Sequence, residues 1–212
     1  MRSRRTRKRI LEHAAEVFAR DGYQGTSLNR IIRESGLTKG AFYFHFESKE
    51  ALALATFRYT QERFLGQMVE RAGRQENGLA ALAEMLRTRA RLLREEPTLE
   101  ALLRIGAELG ATAGPKSEFR AFQDLTLGQF AELVRRGQTE GVIRSELDAH
   151  ATAETIFAAM IGTDRVSRIV SGRADLEERT EHLIEVLANG LRSSSVPGRK
   201  SGSASARDGG PR

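Results

Sequence analysis

The sequence predicts an all-α fold, and two observations support this prediction. Nearly every stretch between Arg4 and Arg192 places apolar residues three or four positions apart, which is the spacing of one helix face. No run alternates β-branched and polar residues between turn signals, as a half-buried strand would. The chain has 212 residues, of which 40% are hydrophobic, so we expect one or two domains with a buried core.

Residues 1–47 are expected to form an N-terminal domain of three helices. Asp21-Gly22 ends the first helix, because glycine readily adopts the left-handed cap conformation. Thr26 or Ser27 caps the second helix, and Thr38 caps a short third helix after the turn at 35–37. The residues expected to form the apolar face of the first helix are Ile10, Leu11, Ala14, Val17 and Phe18.

Residues 48–192 are expected to form a larger helical domain. Ser48 caps a fourth helix of about 49–71, which is long enough to link the two domains. The helices expected after it run from Leu82 to Leu93, from Leu102 to Leu109, and over about 117–138, 149–170 and 175–191. Residues 193–212 are rich in Ser, Gly, Arg and Pro, so we expect a disordered tail.

Composition narrows the function classes. The chain has no cysteine, which excludes disulfides, thiolate nucleophiles and cysteine-ligated zinc. Residues 1–50 carry 11 Lys and Arg against 6 Asp and Glu, whereas residues 51–192 carry 19 against 21. A basic end on a nearly neutral body is typical of a protein that presents one small region to a polyanion, although basic termini are often only solvated.

The sequence gives no sign of a membrane partner. The longest uncharged runs are far shorter than the roughly 20 apolar residues that a membrane span needs. Residues 1–20 lack the apolar block of a signal peptide. We therefore expect a cytoplasmic protein.

The stretch TSLNRIIRESGLTKGAFYFHF, residues 26–46, predicts a helix-turn-helix, in which the second helix enters the major groove of DNA. The start of that helix offers free backbone N–H groups to phosphate, and Gly40 allows close approach. Lys39 can reach a guanine or a phosphate, and Tyr43 and His45 can donate to phosphate oxygens. Some of the apolar side chains are expected to pack the helix onto the first two helices, namely Phe42, Phe44 and Phe46.

A basic run that includes Arg5 precedes Ile10, and we expect it to add salt-dependent phosphate affinity. The alternative reading of this part of the chain is an ordinary pair of small helices in a bundle. In that case Tyr43 and His45 are routine surface residues.

The segment resembles the N-terminal domain of TetR-family repressors in FARDGYQGTSLNRI, GLTKGAFYFHF and SKEALA, over about residues 5–55. The resemblance implies about nine helices and a dimer that binds a palindromic operator in double-stranded DNA. It assigns DNA contacts to Thr38, Lys39, Tyr43 and His45 and a phosphate clamp to Lys49. The remaining contacts that it implies are at the helix cap formed by Thr26 and Ser27 and in the arginine arm before Ile10.

A regulated repressor needs a second site whose ligand prefers the conformation that does not bind DNA. We expect apolar side chains of the larger domain to line it, with Arg89 and Thr126 orienting a carbonyl or hydroxyl. Such apolar residues are more often plain core. The predicted ligand-binding residues are Met85, Arg89, Phe119, Phe122, Thr126, Phe157 and Ile161.

The strings LLRIGAEL and FAAMIGTDRVSR also resemble the γ-butyrolactone-receptor branch of the family, which senses lactone or butenolide signals. Those receptors commonly place a tryptophan in the pocket, but this chain has no tryptophan and Phe122 takes that place. A changed small-molecule effector, such as an antibiotic or a biosynthetic intermediate, is therefore an alternative.

The last two helices carry apolar stripes, over 156–170 and 183–191, that one subunit cannot cover. Two copies of each helix can form a four-helix interface, which predicts a homodimer. The two recognition helices would then lie about 34 Å apart, one turn of DNA.

The main rival class, an enzyme, finds no support in the sequence. The four histidines are scattered, and no metalloprotease, nucleophile-elbow, phosphate-loop or dinucleotide motif is present. We therefore expect no catalytic residue, metal or cofactor. A DNA-binding protein of architectural type, without an effector, is the other alternative, and the size of the second domain argues against it.

Overall fold

The computed structural model describes residues 2–96, 98–99, 105–106 and 116–193, and this part of the chain is helical as predicted. It contains eight helices, and its only β-type pairing is an isolated bridge between Ile143 and Arg192. The helices are α1 (Arg2–Asp21), α2 (Leu28–Ser35), α3 (Lys39–Tyr43), α4 (Lys49–Gly73), α5 (Gly78–Glu95), α6 (Lys116–Thr139), α7 (Ala149–Ser171) and α8 (Leu176–Leu191).

Two predictions fall largely or wholly outside the described residues. The helix expected from Leu102 to Leu109 is described only at Ile105 and Gly106, both of which are helical. The tail expected over 193–212 is described only at Ser193.

Side-chain caps fix where the helices begin. Ser27, Thr38 and Ser48 each accept a hydrogen bond from the backbone N–H three residues later, as predicted for the starts of α2, α3 and α4. Asn77 and Asp148 cap α5 and α7 in the same way. Because each cap satisfies an otherwise free N–H group, the helix starts are set locally by the sequence.

The buried apolar residues form two clusters. Residues of α1, α2, α3 and the start of α4 form the first cluster, which includes Phe18, Ile31 and Phe42. Residues of α4 to α8 form the second cluster, which includes Phe64, Met85 and Phe130. Since α4 contributes to both clusters, a tilt of this helix moves the small helices relative to the larger bundle. The domain boundary at residues 47 and 48 stays a prediction.

Candidate DNA-binding surface

The turn between α2 and α3 is built from local contacts. Gly36 ends α2 with a φ of 68°, in the left-handed region that glycine adopts easily. Thr38 then starts α3, where the amide of Ala41 donates to its Oγ1 at 3.2 Å. The five-residue helix α3 is therefore held in the helix-turn-helix arrangement that the sequence predicts.

The two caps proposed for α2 have different roles. Ser27 is the cap, and its side chain lies exposed beside the start of α2. Thr26 is 2% exposed, and its hydroxyl donates to the carbonyl of Gly22 at 2.7 Å. The Thr26 hydroxyl is therefore used within the N-terminal domain, and the DNA contact that the resemblance implies at Thr26 stays a prediction.

Of the three phenylalanine side chains at and after α3, two are buried and one is exposed. Phe42 and Phe46 are buried in the first cluster, and they anchor the recognition helix as predicted. Phe44 is 79% exposed, and its ring contacts the edge of His45 at 5.2 Å between centroids. Sequence reasoning did not separate these roles. Phe42 and Phe46 are four positions apart and so share a helix face, whereas Phe44 lies midway between them and faces the other way. This spacing is the signal that would have separated the buried rings from the exposed one.

Four of the predicted DNA-contacting residues lie on α3 or just after it. Lys39 and Gly40 are exposed, Tyr43 is 47% exposed and His45 is half-buried. Apart from its two chain neighbours and the backbone of its own helix, no atom of the described residues lies within 4 Å of a Cβ built on Gly40. Packing in the chain therefore does not require glycine at this position.

The basic run at the N-terminus is helical from Arg2, so the arginine arm that the resemblance implies forms the first turns of α1. Arg5 is exposed on the first turn of α1. Arg7 stacks over the ring of Phe46 at 5.2 Å, which holds the basic turns beside the recognition segment. A polyanion at α3 would therefore meet fixed cations rather than a loose arm.

Lys49 uses most of its hydrogen-bond donors within the protein. Its Nζ donates to the backbone carbonyls of Tyr23 and Thr26, each at 3.0 Å, and lies 4.2 Å from the centre of the Tyr23 ring. An ammonium group has three donors, so one remains for a phosphate. The phosphate-clamp role stays a prediction, and the contacts add a role in fixing the loop before α2.

Ion pairs join the end of α1 to α2. Glu34 accepts hydrogen bonds from Arg30 at 2.8 Å and from Arg20 at 3.0 Å, and these two guanidiniums lower the pKa of Glu34 to about 2. Arg30 also pairs with Asp21 at 3.2 Å. These contacts set the angle at which α2 presents the turn.

One hydrogen bond connects α1 directly to α4. The hydroxyl of Tyr59 donates to Glu12 at 2.9 Å, and partial burial raises the pKa of Tyr59 to about 12. This contact joins the small helices to the helix that reaches the second cluster.

The predicted ligand-binding residues are only partly brought together. Met85 is fully buried in the second cluster, and Phe157 packs against that cluster. Thr126 is buried on α6. Ile161 is 39% exposed on α7, outside the buried cluster. The side chains of Phe119 and Phe122 lie outside what the structure describes.

Arg89 is a charged residue inside the second domain, with a side chain that is 11% exposed. Its Nη2 lies 3.6 Å from Oδ2 of Asp164, while Nε of Arg173 donates to Oδ1 of the same carboxylate at 2.7 Å. Burial lowers the pKa of Arg89.

An apolar groove runs between α7 and α8 and has a volume of about 630 Å³. Val166, Leu183 and Val186 line it, and Ile169 and Val170 continue the exposed apolar surface along α7. This is the face that the sequence assigns to the dimer.

The described residues contain neither a membrane-spanning helix nor a metal site. None of the described helices is long and apolar enough to cross a membrane. In the same residues, no three His, Asp or Glu side chains are grouped as a metal site requires.

Comparisons with known proteins agree with this geometry. Residues 10–56 match the model of the bacterial regulatory proteins of the tetR family. The chain is 31% identical to the HTH-type transcriptional repressor AcnR of Corynebacterium efficiens, over 86% of this chain and 88% of that protein. This chain belongs to the TetR family. Members of the TetR family are DNA-binding transcriptional regulators, so the chain is a regulator and not an enzyme.

Two other TetR-family comparisons concern Streptomyces proteins. The chain is 31% identical to the A-factor receptor protein of Streptomyces griseus over 89% of its length, and it spans 66% of that receptor. The crystal structure of TylP, a TetR regulator from Streptomyces fradiae, superposes with a TM-score of 0.74 at 31% identity, covering 92% of this chain and 90% of TylP. The resemblance to the receptor branch of the TetR family is thereby confirmed.

Proposed function

We propose that this TetR-family chain is a ligand-responsive repressor that binds a palindromic operator as a homodimer. The observation that carries the proposal is the exposed side of α3, held in place by the buried rings of Phe42 and Phe46. Lys39, Tyr43 and His45 supply a cation and hydrogen-bond donors there, which are the groups that read base edges and phosphates. The further proposed contacts with DNA are at Arg5, Thr26, Ser27, Thr38, Gly40 and Lys49.

The homodimer would form through α7 and α8. The apolar groove and the exposed valines of this face favour burial against a second copy, since exposed apolar surface of this extent marks an interaction site. A two-fold arrangement presents two copies of α3 to two half-sites of DNA. As a DNA-binding regulator, the protein would act in the cytoplasm.

The effector is proposed to be a small lactone-like or antibiotic-like molecule. The similar Streptomyces griseus protein is the A-factor receptor protein, which favours a related ligand class for this chain. The lack of tryptophan favours a ligand that differs from those of receptors with a tryptophan in the pocket. To empty the operator almost completely, the ligand must prefer the released state by on the order of 5 kcal/mol.

The test is an operator selection from random DNA with the full chain, followed by fluorescence-anisotropy titration. We expect a palindromic sequence to be enriched and one compound from a panel of butyrolactones, butenolides and antibiotics to release it. Binding that no compound relieves would support the architectural alternative. Failure to enrich any sequence would contradict the proposed function.

A further inference from the structure

Two polar side chains are buried on the facing helices α4 and α5 with little to bond to. Gln61 is 4% exposed, and its Oε1 has no hydrogen-bond partner among the residues that the structure describes. Arg89 has, within the described residues, a single ion pair of 3.6 Å, which is longer than a hydrogen bond. Burying polar groups without partners costs stability, so a site of this kind needs an explanation.

Both side chains lie in the middle of apolar helix faces rather than at their edges. Gln61 has the buried residues Phe57 and Leu65 four positions before and after it. Arg89 has Met85 and Leu93 in the same two positions on α5. Residues four apart share a helix face, so each polar group has apolar side chains before and after it on its own helix.

The two groups also lie at the same height in the α4 and α5 pair. These helices pack against each other, and residues 74–77 connect them, so they run antiparallel. Gln61 lies twelve residues before the end of α4 at Gly73, and Arg89 lies eleven residues after the start of α5 at Gly78. Because a helix rises about 1.5 Å per residue, the two positions are level.

Asp164 does not fully satisfy Arg89. Its Oδ1 already accepts the 2.7 Å hydrogen bond from Arg173, and only Oδ2 is near Arg89. A guanidinium has five N–H donors and favours a planar pair of acceptor oxygens. A second carboxylate would therefore complete the site of Arg89.

We propose that Gln61 and Arg89 bind the polar end of the effector, and that this end is a carboxylate with a neighbouring hydroxyl. Arg89 donates to the carboxylate, and the carbonyl of Gln61 accepts from the hydroxyl. A γ-lactone yields this pair of groups when water opens its ring, so the occupant is a γ-hydroxycarboxylate with an apolar body. The inference rests on the proposed function only in calling that occupant the effector.

The placement of Gln61 also gives the ligand a direct mechanical connection. The same helix carries Leu52 and Ala53 into the first cluster, beside the recognition helix. A ligand that binds Gln61 can therefore shift α4, which is the helix that positions α3.

The first experiment asks whether the two groups are there for a ligand or for stability, and it needs no DNA. If they wait for a ligand, Gln61→Met removes an unpartnered oxygen and Arg89→Met removes a guanidinium whose ion pair with Asp164 is 3.6 Å long, so the Tm stays unchanged or rises by about 2 °C. Arg173→Met is the matched control, because it removes the 2.7 Å bond to Asp164 and lowers the Tm by about 4 °C or more. A loss in either of the first two variants as large as that of the control overturns the proposal.

The second experiment measures binding to the full chain by isothermal titration, with sodium 4-hydroxydecanoate and its parent γ-decalactone as probes. We expect the hydroxycarboxylate to bind the wild type more tightly than the lactone, and Arg89→Met to weaken that binding at least about tenfold. Equal binding by Arg89→Met, tighter binding of the lactone, or no binding of the hydroxycarboxylate overturns the inference. Operator recognition by the unliganded chain is unaffected by these outcomes, so the proposed function is judged separately.

Discussion

Nζ of Lys49 lies 4.2 Å from the centre of the Tyr23 ring and donates a 3.0 Å hydrogen bond to the carbonyl oxygen of the same residue. A second bond of 3.0 Å reaches the carbonyl of Thr26. The first residue of the long helix α4 thereby fixes the loop that precedes α2. The resemblance assigns the Lys49 charge to a DNA phosphate, but in this structure the charge stabilises the N-terminal domain.

The variant Lys49→Met should therefore lose stability as well as DNA affinity. Two charge-assisted hydrogen bonds to backbone carbonyls disappear, which costs about 1–3 kcal/mol in the free energy of unfolding measured with urea. Lys39→Met is the matched control, because Lys39 is exposed and should change stability by less than about 0.5 kcal/mol. Unchanged stability in Lys49→Met would mean that the contacts of Lys49 contribute nothing.

Phe44 and Phe42 offer a second matched pair. Phe44→Ala removes an exposed ring at the C-terminal cap of α3, next to the proposed DNA contacts, so we expect near wild-type stability and weaker operator binding in anisotropy titrations. Phe42→Ala removes a fully buried ring, so unfolding should become easier by about 3–5 kcal/mol. Wild-type operator affinity in Phe44→Ala would exclude this ring from the interface.

Gly40 tests whether the backbone of α3 approaches DNA closely. The structure leaves open space where a side chain would stand, so Gly40→Leu should leave the stability unchanged or raise it by up to about 1 kcal/mol. The same side chain would hold DNA away from the helix start and weaken operator binding more than about tenfold. Retained affinity together with retained stability would show that DNA does not come near this position.

Local rules explain why so much of the fold was predictable. Ser27, Thr38 and Ser48 cap their helices through contacts within four residues, and such contacts can be read directly from the sequence. The all-α class follows in the same way from the spacing of apolar residues.

The features that sequence reasoning missed depend on distant partners. Lys49 meets the carbonyl of Tyr23 across 26 positions, and Arg89 meets Asp164 only when α5 packs near α7. In the sequence, nothing distinguishes Gln61 from the other polar residues of α4. Only the folded structure shows that its Oε1 is buried without a partner among the described residues. Side-chain partners of this kind are set by tertiary packing and leave no periodic signal.

Acid should weaken the contact between α1 and α2. The pKa of Glu34 is about 2 in the folded protein, below its ordinary value of 4.5, because Arg30 and Arg20 favour the charged form. Its contribution to stability is therefore fully present above about pH 4.5 and is lost as the pH falls toward 2. Urea unfolding from pH 7 to pH 3 should show a smaller loss for Glu34→Gln than for the wild type. An identical pH dependence in both proteins would contradict this assignment.

The dimer face is tested by placing a charge in the groove between α7 and α8. Val166→Asp puts a carboxylate where a second copy would bury apolar surface, so dimerisation should weaken at least about tenfold by light scattering after size exclusion. Val69→Asp is the control, because Val69 is also exposed but lies on α4, away from that groove. Operator binding should fall with dimerisation in the first variant alone, since a monomer presents only one α3 to a two-part site. A stable dimer in Val166→Asp would place the interface on another face.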